Sequence, residues 1–177
     1  MILVRRMENS DIARIGEVDR SEHVTQGYVL RNGALELEDV DWRVPPWFTD
    51  GRPEHSVQAK IAKWKPILER GEVMFGAFDE DRLVGFAIHR PNLSEDTAEL
   101  AVLHVSAGYR RQGIGTALTR EVVRLARADG AKRLYVSAAP SRPTVDFYRR
   151  QGFHLADEVN QQLYELEPED IHMTRDL

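Results

Sequence analysis

The sequence predicts an α/β (α+β) domain, a mixed sheet with helices packed against it, on three observations. Apolar runs with a two-residue period alternate along the chain with runs of 3.6-residue period. Two pairs of strand-like runs are joined by hairpin signals. One mostly apolar strand passes through a short glycine-containing loop into a long amphipathic helix. A length of 177 residues fits one domain better than two.

The elements follow in order. Ile2 to Arg6 reads as a strand, and Asn9 or Ser10 can cap a helix with Ile12, Ile15 and Val18 on one face. Tyr28–Leu30 and Ala34–Leu37 flank Asn32-Gly33, a strong hairpin signal. Residues 41–53, with Trp42, Trp47, Phe48 and three prolines, are expected to be an irregular loop. Val57, Ile61, Trp64 and Leu68 return to helical spacing, with Pro66 warning of a kink. A second hairpin spans Val73–Phe78 and Leu83–His89, and Ala98–Val105 is a further strand. Ile114, Leu118, Val122 and Leu125 mark a helix over 113–129, with Gly130 as its C′ residue. Leu134–Ala138 reads as a strand, Thr144–Arg150 as a short helix, and residues 153–159 and 163–166 as closing strands.

Composition narrows the function. Apolar residues make up 42%, and no run approaches the ~20 that a membrane helix needs. The opening Met1–Arg6 is too short and wrongly ordered for a secretory signal. The absence of cysteine excludes disulfides, thiolate catalysis and zinc–thiolate sites, and the expected location is cytoplasmic. The six histidines show no i, i+4 pair, so no metal is expected. A net charge of −5 argues against a nucleic-acid partner. Charge is unevenly spread, however. Residues 106–133 hold seven basic side chains against two acids, and residues 34–54 hold six acids against two arginines. The first segment suits an anionic ligand; the second suits a cation or is a solvated face.

Between Val105 and Leu118 a strand leads through a basic loop into a helix. Free N–H groups at a helix start attract phosphate, glycines permit close approach, and Arg110 and Arg111 add charge. A nucleotide P-loop would end in Gly-Lys-Ser/Thr, whereas this loop ends Gly115-Thr116-Ala117. A dinucleotide fingerprint needs a third glycine where Leu118 stands.

The run Arg110-Arg111-Gln112-Gly113-Ile114-Gly115 resembles the phosphate motif of the GCN5-related N-acetyltransferase superfamily, Arg/Gln-x-x-Gly-x-Gly/Ala. Phe147-Tyr148-Arg149-Arg150-Gln151-Gly152-Phe153 resembles that family's Phe-Tyr-x-x-x-Gly-Phe segment, and the 73–89 hairpin with Leu83-Val84-Gly85-Phe86 is a third likeness. The resemblance covers about 73–159, the expected acetyl-CoA-binding core, and leaves about 21–70 as the acceptor side. It implies a twisted, mostly antiparallel sheet whose fourth and fifth strands splay apart, here 98–105 and 134–138. It also implies that Leu103, His104 and Val105 offer backbone to the pantetheine arm of acetyl-CoA, and that amides of Arg111, Gln112, Gly113, Ile114, Gly115 and Thr116 hold the pyrophosphate beside Arg110. Many relatives have Asn where this chain has Ser141, a candidate cofactor contact that would otherwise cap the helix.

The expected reaction is acetyl transfer from acetyl-CoA to a primary amine, by direct attack in a ternary complex. Tyr148, placed by resemblance beside the sulfur, is the candidate acid; a phenol with a pKa of about 10 is protonated at neutral pH. The alternative is a core aromatic. Glu99 is the candidate base, fourteen residues before Gly113, and strict alternation puts it on one face with Ala101, Leu103 and Val105. His104 then falls on the opposite face as a packed histidine. By resemblance, the Leu103 N–H is the oxyanion donor. Tyr28, Trp42 and Trp47 with nearby carboxylates are candidates to hold a cationic acceptor, a small-molecule or protein amine; tryptophans that merely anchor the loop are the alternative. Edge strands admit a homodimer. The competing function is a non-catalytic acyl-CoA-binding or regulatory module on the same fold.

Overall fold

The computed structural model describes residues 1–48, 52 and 55–177; Asp50, Pro53 and Glu54 of the segment considered above lie outside the described residues. The first strand, β1, is Ile2–Arg6. A two-stranded hairpin follows, β2 (Glu22–Arg31) and β3 (Ala34–Val44), then helix α1 (Val57–Leu68). Next come β4 (Val73–Asp79), β5 (Arg82–Ser94), β6 (Thr97–Val105), α2 (Ile114–Ala128), β7 (Arg133–Ala138) and α3 (Arg142–Arg150). The chain ends with β8 (His154–Leu155), α4 (Gln161–Leu166) and β9 (Ile171–Asp176). Seven strands make one sheet in the order β1-β4-β5-β6-β7-β9-β8, and only β6 and β7 run parallel.

The sheet has a core on each face. On one, α2 and α3 bring Leu118, Val122 and Val145 onto Ala98, Leu100, Leu134, Val136 and Met173. On the other, the Asn9–Glu17 turn and α1 bring Ile12, Ile15, Trp64 and Leu68 onto Met74, Phe86 and Ile88. Each helix buries the stripe that its apolar spacing marked out.

Several expectations need correction. The first helix is a 3-10 helix, and its start is closed by Asp11, whose carboxylate accepts from the Glu8 N–H at 3.2 Å. Asn9, Ser10, Asp11 and Gly16 are poor α-helix formers, so a tighter turn competes well. Asn32 and Gly33 take φ of 50° and 79°, as a two-residue hairpin turn requires. The hairpin is longer than expected, so Trp42 lies in β3 rather than in a loop. Pro66 is accommodated in the last turn of α1. Residues 161–166 form a helix, not a strand. Asn160 caps it, accepting from the Leu163 N–H at 3.1 Å, and the closing strand is β9.

Two departures from regular pairing shape the centre. The parallel ladder between β6 and β7 joins Thr97–Glu99 to Arg133–Tyr135 and stops, so the strands diverge beyond it. Segment 19–28 crosses between the two arms. Asp19 N–H donates to Ser106 Oγ at 2.9 Å and Asp19 O accepts from the Ala107 N–H at 2.9 Å; farther on, Tyr28 N–H donates to Pro140 O at 2.7 Å. The second departure is a bulge in β6. Ile88 faces Val102 but His89 faces Leu100, leaving Ala101 unpaired.

Packing that a single methyl would disturb is found at Gly76 in β4. A Cβ there would stand 2.6 Å from Met7 Sδ and 2.7 Å from the Phe78 ring. Gly76→Ala is expected to cost about 1–3 kcal/mol, a fall in melting temperature of roughly 2–12 °C by calorimetry.

Candidate active site

The loop after β6 carries a run of unused donors. The backbone N–H groups of Arg111, Gln112, Gly113, Ile114, Gly115 and Thr116 donate to no protein group among the described residues, and the first intrahelical bond is Ala117 N–H to Gly113 O at 3.0 Å. Arg111 and Gly113 sit at φ of 63° and 82°, which turns the amides into one concave face. At a helix N-terminus such a face attracts a phosphate. The glycines have different roles. A Cβ at Gly113 would meet nothing, so it is glycine for its backbone angle; a Cβ at Gly115 would press on the Phe147 ring at 3.2 Å, so its role is close packing of α2 on α3.

The Arg110 side chain turns inward. Nε donates to Val105 O at 3.1 Å, Nη2 donates to Arg20 O at 3.3 Å, and Nη1 lies 3.7 Å from Glu22. It ties the loop to the segment crossing the V. Ser141 caps α3, accepting from the Thr144 N–H at 3.3 Å. It also lines an apolar groove of about 230 Å³ with Val24, Trp42, Val44 and Pro140.

The bulge at Ala101 changes which side chains share a face. Leu103 and Val105 pack with the core under α2, whereas Ala101 and Val102 pack with the core under α1. Leu100 belongs again to the α2 side, so Glu99 lies on the α1 side with Val102 and His104. The expected grouping of Glu99 with Leu103 and Val105, opposite His104, is therefore overturned. Alternation fails because one extra residue intervenes.

Glu99 is buried and faces Tyr135 on β7 and Arg90 on β5, whose Nη1 is 3.4 Å away. Burial raises its pKa, and Arg90 opposes the rise. Tyr148 is buried on α3, between the rings of Phe147 and Phe153. Burial pushes its phenol pKa up, with Asp170 adding to the effect, so it holds its proton throughout the neutral range.

The three aromatic acceptor candidates do not form one site. Tyr28 is buried on the α3 side and donates to Asp146 at 2.7 Å. Trp42 covers Gly27 on the hairpin. Trp47 donates to Val18 O at 2.8 Å, lies under Arg20, and meets His104 edge-on at 5.7 Å. The acids of β3, exposed but for half-buried Glu38, are engaged within the hairpin, Glu36 and Glu38 with Arg31, and Asp41 with His23 and Arg43. Sequence reasoning missed three polar residues on the α1 side of β7 and β9, namely Tyr135, Ser137 and Asp170, which stand beside His172. Tyr135 bonds His172 Nδ1 at 2.8 Å, and Ser137 donates to Asp170 at 3.1 Å. The alternation of polar and apolar residues in 133–138 was the available signal.

A mixed sheet that parts between two parallel strands, next to an amide-lined helix start, defines a protein of the acyl-CoA-dependent N-acetyltransferase class. Residues 35–153 match the Acetyltransferase (GNAT) family, more than half of the chain, and the chain belongs to that family. N-alpha-acetyltransferase 50 of Danio rerio is 30% identical over 114 residues, spanning 62% of this chain and 68% of that protein. Mycothiol acetyltransferase of Corynebacterium glutamicum is 34% identical over 105 residues, but these span only 33% of its length. Among solved structures, nourseothricin acetyltransferase superposes with a TM-score of 0.73 at 20% identity, covering 99% of this chain and 98% of that one. PaiA N-acetyltransferase of Thermoplasma acidophilum, solved with coenzyme A, gives 0.64 at 17%, covering 100% and 99%. At these identities the structural likeness speaks for the fold.

His104 yields a pH prediction. Burial, with Arg20, Lys60 and Arg110 nearby, pushes its pKa down to about 4. The unfolded chain takes up this proton near pH 6.5 and the folded chain does not. The stability tied to neutral His104 is thus complete above pH 6.5 and lost as pH falls toward 4. Melting curves of His104→Gln are expected to fall less steeply than wild type across that window.

Proposed function

We propose that the chain transfers acetyl from acetyl-CoA to a primary amine by direct attack in a ternary complex, acting as one domain without a metal. The observation that carries this reading is the short β6–β7 ladder, open beyond Glu99 and Tyr135 and leading to six unused amides. A thioester arm lying in that opening would meet the free edge of Leu103, His104 and Val105, with the pyrophosphate on Arg111–Thr116. Arg110 contributes by fixing the loop, and Ser141, bridged to Gly27 of the segment that crosses the opening, is our further candidate contact for the arm.

The chemistry follows from the environment of each group. The amine must lose a proton to become a nucleophile, because an alkylammonium has a pKa of about 10.4. A buried carboxylate such as Glu99, its pKa raised, is a better base than an exposed one. As the nitrogen–carbon bond forms, the oxygen gains charge and needs a fixed N–H, for which Leu103 is our candidate. The carbon–sulfur bond then breaks with its electron pair on sulfur, and Tyr148 supplies the proton. The acceptor is a small-molecule or protein amine. Its cationic end is better matched to Glu99 and the other acids of the α1 side than to the acids of β3, which are already engaged within the hairpin.

The test is thiol release from acetyl-CoA with spermidine, lysinamide and a peptide α-amine. Tyr148→Phe is expected to lower turnover by about 10²–10⁴-fold with little change in CoA binding. Gly113→Glu, which places a side chain and a negative charge on the amide face, should abolish the calorimetric signal for CoA. Thiol release unchanged by Tyr148→Phe would sink the acid assignment. Tight CoA binding without turnover on any amine would favour the non-catalytic module.

A further inference from the structure

Asp170 is a second carboxylate on the same side of the opening as Glu99. It immediately precedes β9. Ser137 pairs with His172 and Ala138 with Ile171, so Asp170 is level with Ala139, beyond the point where β6 and β7 separate. Glu99 sits instead at the closed end, about 13 Å of extended strand before Leu103. Asp170 accepts a hydrogen bond from Ser137 Oγ at 3.1 Å. The neighbours Val136, Ala138, Ile171 and Met173 fill the opposite core, so Ser137 and Asp170 share the α1-side face. The charge of Asp170 also adds to the upward shift of the Tyr148 phenol.

The same face holds an unfinished hydrogen bond. His172 is 7% exposed. Tyr135 Oη accepts from the Asn160 N–H at 3.0 Å, which leaves its proton for His172 Nδ1. With Tyr135 donating to Nδ1, Nε2 carries the imidazole proton; it faces the Glu167 backbone but makes no hydrogen bond of good geometry among the described residues. A buried donor without an acceptor is uncommon in a finished protein interior. An oxygen of a bound molecule would complete it.

We propose that Asp170, oriented by Ser137, takes the proton from the acceptor ammonium, and that the acceptor is a primary amine with a nearby carbonyl oxygen for His172. This rests on the amine-acetylation reading above and moves the base from Glu99, at the closed end, to Asp170, beyond it. The ammonium gives one proton to Asp170, and the freed lone pair forms the carbon–nitrogen bond as the carbon–sulfur bond breaks. A second nitrogen proton is then lost, matching the one that sulfur receives through Tyr148. The net products are the amide, the CoA thiol and one proton, which Asp170 releases to water.

The groups around Asp170 set its titration. Glu167 follows α4, Ser137 and Tyr135 come from β7, His172 from β9, and Tyr148 from α3; Lys60 of α1 faces Glu167. Burial and the neighbouring Glu167 push Asp170 up to about 7, and the Ser137 hydrogen bond pulls the other way. A base of that strength is ionised in part at neutral pH and still holds a proton well.

The experiment compares lysinamide with hydroxylamine, a nucleophile already neutral at pH 7, using the full chain and acetyl-CoA. Wild-type kcat/KM for lysinamide is expected to rise through about pH 7. Asp170→Asn should remove that limb and lower lysinamide turnover by about 10²–10⁴-fold, with hydroxylamine acetylation near wild type. Its melting temperature at pH 8 should equal or exceed that of wild type, since the fold no longer holds two carboxylates, Asp170 and Glu167, side by side. Ser137→Ala should move the limb to higher pH and Glu167→Gln to lower pH. A limb that survives Asp170→Asn, equal losses on both nucleophiles, or shifts of the same sign in the two neighbours would overturn the assignment. Wild-type thiol release with hydroxylamine alone would overturn it too. No release with either nucleophile would remove the amine-acetylation reading itself.

Discussion

The constraint on which the molecule turns is the early end of the β6–β7 ladder. Backbone N–H and C=O groups in a protein interior need partners. Three residue pairs satisfy the closed end, and then the strands part. Each arm is held by other means. β5 remains paired along β6 to Val105, and β9 remains paired along β7 to Ala138. Segment 19–28 joins the arms, bonding to Ser106 and Ala107 on one side and to Pro140 on the other. Arg110 adds its bonds to Val105 and Arg20. The opening is therefore built by pairing on its outer edges and leaves an inner edge for a guest.

Local signals in the sequence carried much of this architecture. The Asn32-Gly33 turn, the β4–β5 hairpin, β6, α2 and its Gly130 end are all set by neighbours within a few residues. The errors fall where distant contacts decide. Nothing in residues 97–105 announces that Ala101 is left out of the ladder, because register is agreed between two strands. Leu163 and Leu166 fit a strand or a helix when read alone, and the Asn160 cap settles the matter. β9, with the sequence Ile171-His172-Met173-Thr174-Arg175-Asp176, alternates apolar and polar as a half-buried strand does, yet its mixed composition hid it.

The site was legible in its backbone and less so in its side chains. An amide-rich turn requires glycine and positive φ, and these leave a mark in sequence. The identity of Arg110 gave no sign that its charge would be spent on carbonyl groups inside the fold. Tyr28, Trp42 and Trp47 looked like a set because they are neighbours in sequence. Folding sends Tyr28 to the α3 side and Trp42 to the hairpin, and leaves Trp47 beside His104.

The bulge has a chemical consequence as well as a geometric one. With perfect alternation Glu99 would point into the apolar core under α2, where a carboxylate finds no cation and would cost several kcal/mol unless protonated. The extra residue turns it to the face where Arg90 waits. The same turn aligns Glu99 with Tyr135 and, through β7 and β9, with Ser137, His172 and Asp170. One sheet thus presents an apolar face to α2 and α3 and a polar row to the opposite side. Environment then separates the two acids of that row, since Glu99 is opposed by a cation and Asp170 is crowded by another carboxylate. Groups of one chemical type with unlike neighbours are suited to unlike tasks. Burial raises the pKa of both, but Arg90 limits the rise at Glu99 whereas Glu167 adds to it at Asp170.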